Sequence, residues 1–302
     1  MRNQRAIDVL VLSGGRARRL EEYRKIINKE HYPMLAKYAG EEGPKGLTLL
    51  NIKDDKIPLL DLHLEQYWRN PSIKEITLGL GFASQMIMDY YQGQEHTPCF
   101  VVEERPAGTI APLLKLYQNG KLSDRPLLLA NGDNLLELDL TEIWQKAEEI
   151  LNNFSKEQQA EIAINILTLV PWEQSDAYGV VDFDAKTQLI HHFFEKQSVE
   201  QNPYIIIKDR RYSYINSGFS LILNPKTLIE TYVDPTIFSL VEDLEQGKKA
   251  YALHETQVKY ETLYSTLAPK KRLIGIHHHG FWADSGSETQ ILAIEAHYAK
   301  IE

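Results

Sequence analysis

The chain has 302 residues, enough for one large α/β unit or two ordinary ones, and its 43% hydrophobic content excludes a disordered polymer. Formal net charge is −9, from 42 acidic and 33 basic residues, which argues against general nucleic-acid binding. A single cysteine, Cys99, rules out an intrachain disulfide and a cysteine-rich zinc site, and suits a reducing compartment.

Residues 7–12 form an apolar run broken only by Asp8. It reads as a buried strand, the first of a parallel sheet. It is too short for a leader peptide, and no run approaches a membrane span, so a cytoplasmic protein without membrane association is expected. Ser13, Gly14, Gly15, Arg16, Ala17, Arg18, Arg19 and Leu20 follow. The glycines let the backbone turn and approach a ligand, successive N–H groups form an anion nest, and three arginines offer forks for phosphate oxygens. A Gly-Gly turn after a strand is also ordinary punctuation of α/β proteins. Neither G-x-G-x-x-G nor the Gly-Lys-Ser/Thr of a P-loop is present.

Residues 21–43 are charged and interrupted by Pro33, Gly40 and Gly43. They read as a loop or lid, with residues 21–29 able to be helical. Pro44 and Gly46 then flank Lys45. Taken alone, Lys45 reads as a solvated surface lysine. Residues 58–68 read as a helix, 76–82 as a strand, and Ser84 as the cap of a helix running to about Tyr91. A strand at 99–102 leads into a loop at 103–109. A helix carrying Leu113, Leu114 and Tyr117 starts near Gly108 or Thr109, and a strand at 126–130 ends in Asn131, Gly132, Asp133 and Asn134. A helix at 140–151 follows. This alternation predicts βαβ units around a parallel sheet. The loops after three of these strands should then converge on one sheet edge, where ligands bind.

The second half changes character. Strands are expected at 160–170, 178–183, 189–194, 214–223 and 250–254, with helices mainly at 225–232 and 237–246. This predicts an extension that makes the sheet mixed, without a linker or internal repeat. A last helix is expected at 288–299.

Asp133 follows a strand and a glycine; Asp284 sits in a similar turn before Gly286. Alone, each reads as a turn aspartate accepting backbone N–H bonds. Only their meeting in space would make them a pair for Mg²⁺, which binds few carboxylates plus substrate phosphates. Asp182 and Asp184 are similar to the Asp-x-Asp metal motif of nucleotide-sugar glycosyltransferases, but Ala185, Lys186 and Thr187 favour a hairpin turn. His277, His278 and His279 are adjacent and cannot all face one ion, so a polar loop is expected there.

In order, these motifs resemble those of the sugar-1-phosphate nucleotidyltransferases, or nucleoside-diphosphate-sugar pyrophosphorylases. Residues 13–20 resemble the loop G-G-x-G-[ST]-R-L, Pro44-Lys45 the Pro-Lys, 103–109 the E-x-x-P-x-G-T, and 131–134 the G-D-N. Residues 178–184 are similar to Y-G-V-V, Glu195-Lys196 to E-K-P, 214–218 to the strand with N-x-G, and 282–287 to W-x-D-x-G-T. The mannose-1-phosphate and heptose-1-phosphate guanylyltransferases share the E-x-x-P-x-G-T form.

The resemblance implies a Rossmann-like three-layer α/β fold of the GT-A type with a predominantly parallel mixed sheet. It also implies a single nucleotidyltransferase domain over 1–302, with 1–150 mainly nucleotide-binding and 151–302 mainly sugar-phosphate-binding. The implied activity is of the EC 2.7.7 type: NTP plus sugar 1-phosphate gives NDP-sugar and pyrophosphate. Arg19 and Lys45 would be catalytic. Ser13, Gly14, Gly15, Glu103, Gly108 and Thr109 would bind nucleotide; Gly179, Glu195, Lys196 and Asn216 would bind the sugar phosphate. Asp133 and Asp284 would hold Mg²⁺. Enzymes of this kind are often homo-oligomers.

The departures are Ala17 and Arg18 in the loop, Gln197 after Glu-Lys, Ser287 for threonine, and a long insert before Pro44. They keep open a non-catalytic nucleotide- or sugar-phosphate-binding homologue. A glycosyltransferase using Asp182 and Asp184 is the other alternative.

Overall fold

In the computed structural model, the described residues are 5–16, 19–20, 22–105, 107–245 and 259–301. The expected strand at 250–254, together with Ala17 and Arg18 of the glycine turn, lies outside them.

The first strand, β1, is Ile7–Leu12. A short helix α1 (Glu22–Lys25) and a hairpin of β2 (Leu49–Ile52) and β3 (Asp55–Pro58) precede α2 (Leu59–Trp68). Then come β4 (Ile73–Leu80), α3 (Ser84–Tyr91), β5 (Cys99–Val102), α4 (Ala111–Gln118), β6 (Leu127–Asn131), β7 (Asn134–Leu136), α5 (Leu140–Leu151) and α6 (Lys156–Ala160). The second half contributes β8 (Ala163–Pro171), β9 (Gly179–Asp184), β10 (Leu189–Glu195), β11 (Ile205–Ile207) and β12 (Arg210–Ile222). It ends with α7 (Pro225–Tyr232), α8 (Thr236–Glu245), α9 (Tyr260–Leu267), β13 (Leu273–His277), β14 (Trp282–Asp284) and α10 (Glu288–Tyr298).

The main sheet runs β5-β4-β1-β6-β12-β8-β13-β10-β9, with β11 paired to β12. β1 is parallel to both β4 and β6, and β4 to β5. Parallel pairing dominates only this first half. β12 enters antiparallel between β6 and β8, and β10 is antiparallel to β9 and β13. β8 and β13 return to parallel pairing.

The apolar run of β1 is explained by burial on both faces. Ile7, Val9 and Val11 enter one core with residues of α2, α3 and α5. Leu10 points to the other, packed with residues of α4, α7 and α9. These two cores make the three-layer α/β/α sandwich. Asp8, at 8% exposure, is tolerated because Arg125 Nε donates to it at 2.8 Å and Ser123 Oγ at 2.5 Å.

Ala83, in the left-handed region, is the N-cap of α3, and Ser84 is its first residue without a side-chain cap bond. The insert at 21–43 is not a free-standing lid. Tyr32 and Leu35 are buried in the first core, Tyr32 donates to the Leu47 carbonyl, and Tyr38 donates to Asp89 on α3 at 2.8 Å. Arg24 anchors α1 to the last helix through Glu288 and Glu295, each at 2.8 Å.

Candidate active site

The loops after β1, β5 and β6 converge as the alternation requires, around a cavity of about 420 Å³. Ser13, Gly14, Gly15, Lys45 and Asp133 line one side; Glu103, Gly108 and Thr109 line another; Lys196 and Glu261 close a third. A larger cavity, about 790 Å³, lies between α5, the β9–β10 turn and the histidine run, and it contains none of the predicted site residues.

Gly14 and Gly15 serve different needs. A Cβ on Gly14 would stand 3.2 Å from the backbone nitrogen of Gly81, so a side chain there would press the two strand ends apart by a few tenths of an ångström. Around Gly15 a Cβ would meet nothing within 4 Å, so the space beside it is open. Neither glycine lies in the left-handed region, so close approach, not a positive φ, explains them. The arginines of the turn are not one cluster. Arg16 stacks on the Phe82 ring at 4.1 Å, while Arg19 lies where its charge acts on Asp284 and Tyr178.

Asp133 and Asp284 meet. β14 pairs with β7 antiparallel, setting Asp284 opposite Asn134. Ser285 clamps the join: its N–H and hydroxyl both donate to the Asp133 carbonyl, at 2.8 and 2.6 Å. Burial, and next the charge of Asp133, push the Asp284 carboxyl up; Lys45 and Arg19 oppose them. Lys45 Nζ donates to Asp133 Oδ2 at 2.8 Å, and its side chain is only 15% exposed, so it is not a solvated surface lysine. Behind Asn134, buried His63 donates from Nδ1 to the Asn134 carbonyl at 2.9 Å, while its Nε2 accepts from Tyr67 at 3.1 Å. Burial pushes His63 down to about 4, so it is neutral at pH 7. Gly218 adopts φ +87° beneath Asn134, whose amide donates to the Ser217 carbonyl at 2.7 Å.

Among the described residues, no group of three or more His, Cys, Asp or Glu side chains is arranged to hold a metal ion. The all-oxygen pair of Asp133, on the cavity wall, and Asp284, outside its lining but close enough to repel it, suits a hard cation that completes its shell with phosphate and water.

Across the cavity, Glu103 is buried and accepts the Ala107 N–H at 3.2 Å. Thr109 donates to Glu261 Oε2 at 3.0 Å and accepts the Tyr260 N–H at 3.2 Å. Glu195, at the end of β10, lies 3.6 Å from Lys259 Nζ. A Cβ on Gly179 would stand 3.3 Å from Glu195 Oε2, so these two sit together outside the cavity wall. Asn216 lies in the irregular stretch of β12, where it accepts the Gly218 N–H at 3.2 Å, and does not line the cavity.

Asp184 is fully used by its own turn: it accepts the Lys186 N–H at 2.9 Å and the Thr187 hydroxyl at 2.7 Å. Asp182 pairs with His192 at 3.4 Å. His277 ends β13, and the His278 ring bonds the Phe281 carbonyl. Sequence reading did not single out Glu261, Arg24, His63 or Ser285. Only Glu261 among them touches the cavity.

With this geometry in view, the chain belongs to the Nucleotidyl transferase family, whose model matches residues 47–301. The glycine turn and Lys45 precede the matched span. The chain is similar to the Bifunctional protein GlmU of Methanococcus vannielii, 23% identical over 246 residues, covering 80% of this chain and 48% of that protein. It is also similar to the mannose-1-phosphate guanyltransferase of Debaryomyces hansenii, 24% identical over 237 residues, covering 77% of this chain and 54% of that one. It thus spans about half the length of the curated relatives it matches. Among solved structures, UDP-glucose pyrophosphorylase complexed with UDP-glucose superposes with a TM-score of 0.61 at 16% identity, covering 98% of this chain and 100% of that one. HddC from Yersinia pseudotuberculosis, complexed with GMP-PN, does so at 0.58 and 16%, covering 96% and 99%. The Rossmann-like α/β fold is therefore shared.

Proposed function

We propose that this protein transfers a nucleotidyl group from an NTP to a sugar 1-phosphate, releasing pyrophosphate, with Mg²⁺ as cofactor. One observation carries the reading. Asp133, which lines the cavity behind the glycine turn and pairs with Lys45, lies close enough to Asp284, 151 positions further along the sequence (284 − 133), for the two carboxylates to repel each other. Two aspartates so far apart in sequence have no reason to meet by chance beside a lysine at a cavity wall.

In the proposed step the sugar-phosphate oxygen attacks the α-phosphorus, and the bond to the pyrophosphate oxygen breaks. The protein's work is positioning and charge neutralisation. The open backbone at Gly15 admits the phosphates. Lys45 and Arg19 neutralise charge on the transferring and leaving groups, and Lys196 holds the sugar phosphate. Glu103, Gly108 and Thr109 flank the nucleoside. Glu195, Gly179 and Asn216 support the sugar end. Mg²⁺, held by Asp133 and Asp284, would supply electrostatic stabilisation of the phosphate oxygens. GTP is the nucleotide to try first, because a mannose-1-phosphate guanyltransferase is among the relatives and HddC was solved with GMP-PN.

The test is pyrophosphate release from purified protein with Mg²⁺, the common NTPs and a panel of sugar 1-phosphates. Release that requires both substrates, and falls by orders of magnitude in Asp133→Asn, supports the reading. Silence across the panel, or an unimpaired Asp133→Asn, refutes it.

A further inference from the structure

Glu261 stands in the first turn of α9 and lines the cavity, yet nothing in its local sequence marks it. Its Oε2 is taken by the Thr109 hydroxyl, which is itself fixed by the Tyr260 N–H. Its own backbone N–H also donates to the carboxylate. Burial raises the Glu261 carboxyl most; Glu195 raises it further, while its own backbone N–H, Thr109 and Lys259 lower it. Glu195, outside the cavity wall, is close enough for its charge to act on Glu261, and Lys259, 3.6 Å from Glu195, is a counter-charge; of the two acids Glu261 lines the cavity.

A helix first turn tolerates a carboxylate, which accounts for Glu261 being at that position. It does not account for the carboxylate being turned into a cavity towards a second acid, an arrangement that costs folding free energy without a ligand. Donors on an occupant would add to the partial compensation from Thr109, the Glu261 backbone N–H and Lys259. Thr109 already occupies the oxygen on the Glu103–Thr109 side. Lys196, assigned above to the sugar phosphate, lines the same cavity as Glu261.

Resting on the nucleotidyl-transfer reading above, we infer that Glu261 is a specificity-determining residue: it accepts hydrogen bonds from hydroxyls of the sugar phosphate, selecting sugars that retain a free hydroxyl at the contacted carbon. A hydrogen bond to a charged acceptor contributes about 1.5–3 kcal/mol, or roughly 10- to 150-fold. A sugar lacking that hydroxyl leaves the carboxylate short of a donor, which is how such sites discriminate.

The experiment is steady-state kinetics on Glu261→Ala and Glu261→Gln, with KM measured separately for the NTP and the sugar 1-phosphate. It is paired with calorimetric titration of the sugar 1-phosphate and its monodeoxy analogues. Glu261→Ala should raise the sugar-phosphate KM at least 10-fold with the NTP KM within 2-fold. Glu261→Gln, which can still accept from Thr109, should be intermediate. One deoxy analogue should be as weak on the unmodified protein as the parent sugar is on Glu261→Ala, with no further loss when the two are combined. A change in the NTP KM alone, or Glu261→Gln behaving as the unmodified protein, overturns the inference. If the unmodified protein releases no pyrophosphate, the proposed reaction fails. The titration still decides this point: sugar-phosphate binding that is undetectable, or unchanged in Glu261→Ala, overturns it, and binding lost in that variant upholds it.

Discussion

Replacing Lys45 with methionine keeps the side chain's length and apolar stem while deleting its charge. Two unit charges 2.8 Å apart attract by about 1.5 kcal/mol at the dielectric of water and about 6 kcal/mol at an effective value of 20. The first limit is the nearer one, because the Asp133 side chain is 42% exposed and can recover hydration when Lys45 is lost. A pair so exposed contributes about 1 kcal/mol or less to folding. Lys45→Met should therefore lower ΔG of unfolding in urea by roughly that amount. The rate should respond very differently. A preorganised donor aimed at charge that develops in the transition state contributes about 3–4 kcal/mol, so turnover should fall roughly 100- to 1,000-fold. Pyrophosphate release and urea unfolding on the same preparation make the comparison. Stability nearly kept with rate lost is the signature of a group acting on substrate. A variant that keeps its rate, or loses activity only in step with its folded fraction, would refute the role assigned to Lys45.

Three further outcomes follow from named contacts. Asp284 has its carboxyl raised by burial, so at neutral pH its charge opposes folding, and that penalty disappears as pH falls through the raised value. Asp284→Asn should accordingly raise the melting temperature in EDTA at pH 7 yet abolish both turnover and any further rise on adding Mg²⁺, read by thermal shift. A Cβ at Gly218 would stand 2.7 Å from Asn134 Nδ2 on a backbone with φ +87°, so Gly218→Ala should cost about 2–4 kcal/mol in urea unfolding. A cost below 0.5 kcal/mol would mean the Asn134 support is looser than drawn. His63, held neutral by burial with its acid pushed down to about 4, takes up fewer protons folded than unfolded, so stability should fall as pH drops from 6.5 towards 4. The loss attributable to it approaches roughly 3 kcal/mol, and His63→Gln should flatten that part of a pH series of urea curves; an unchanged slope would assign it elsewhere.

What was legible in the sequence was whatever chemistry imposes locally. The run of β1 announced two-sided burial, and the alternation of strand and helix through Leu151 put the loops after β1, β5 and β6 on one edge. Asp133 and Asp284 could each be singled out from a glycine turn but read alone as turn aspartates; what brings them together is β14 pairing with β7. That pairing is a contact between segments 152 positions apart (Ser285 to Asp133), and no window along the chain contains it. Glu261 was illegible for the same reason in sharper form. A glutamate near the start of a helix is what any solvated first turn carries. Its place in the cavity wall, where the Thr109 hydroxyl from the loop before α4 bonds it, joins segments 152 positions apart. The second half was harder to read than the first because β12 runs antiparallel between β6 and β8, and it does so over an irregular stretch from Asn216 to Ser220. That irregularity is where Gly218 takes its positive φ and where Ser217 holds both Asn134 and Trp282, the latter at 2.8 Å from its indole nitrogen. The same break in strand regularity that hid the topology from the sequence therefore supports Asn134 and β14 at once, and through them the two aspartates. A substitution that regularised β12 there should damage the acidic pair before it damaged the sheet.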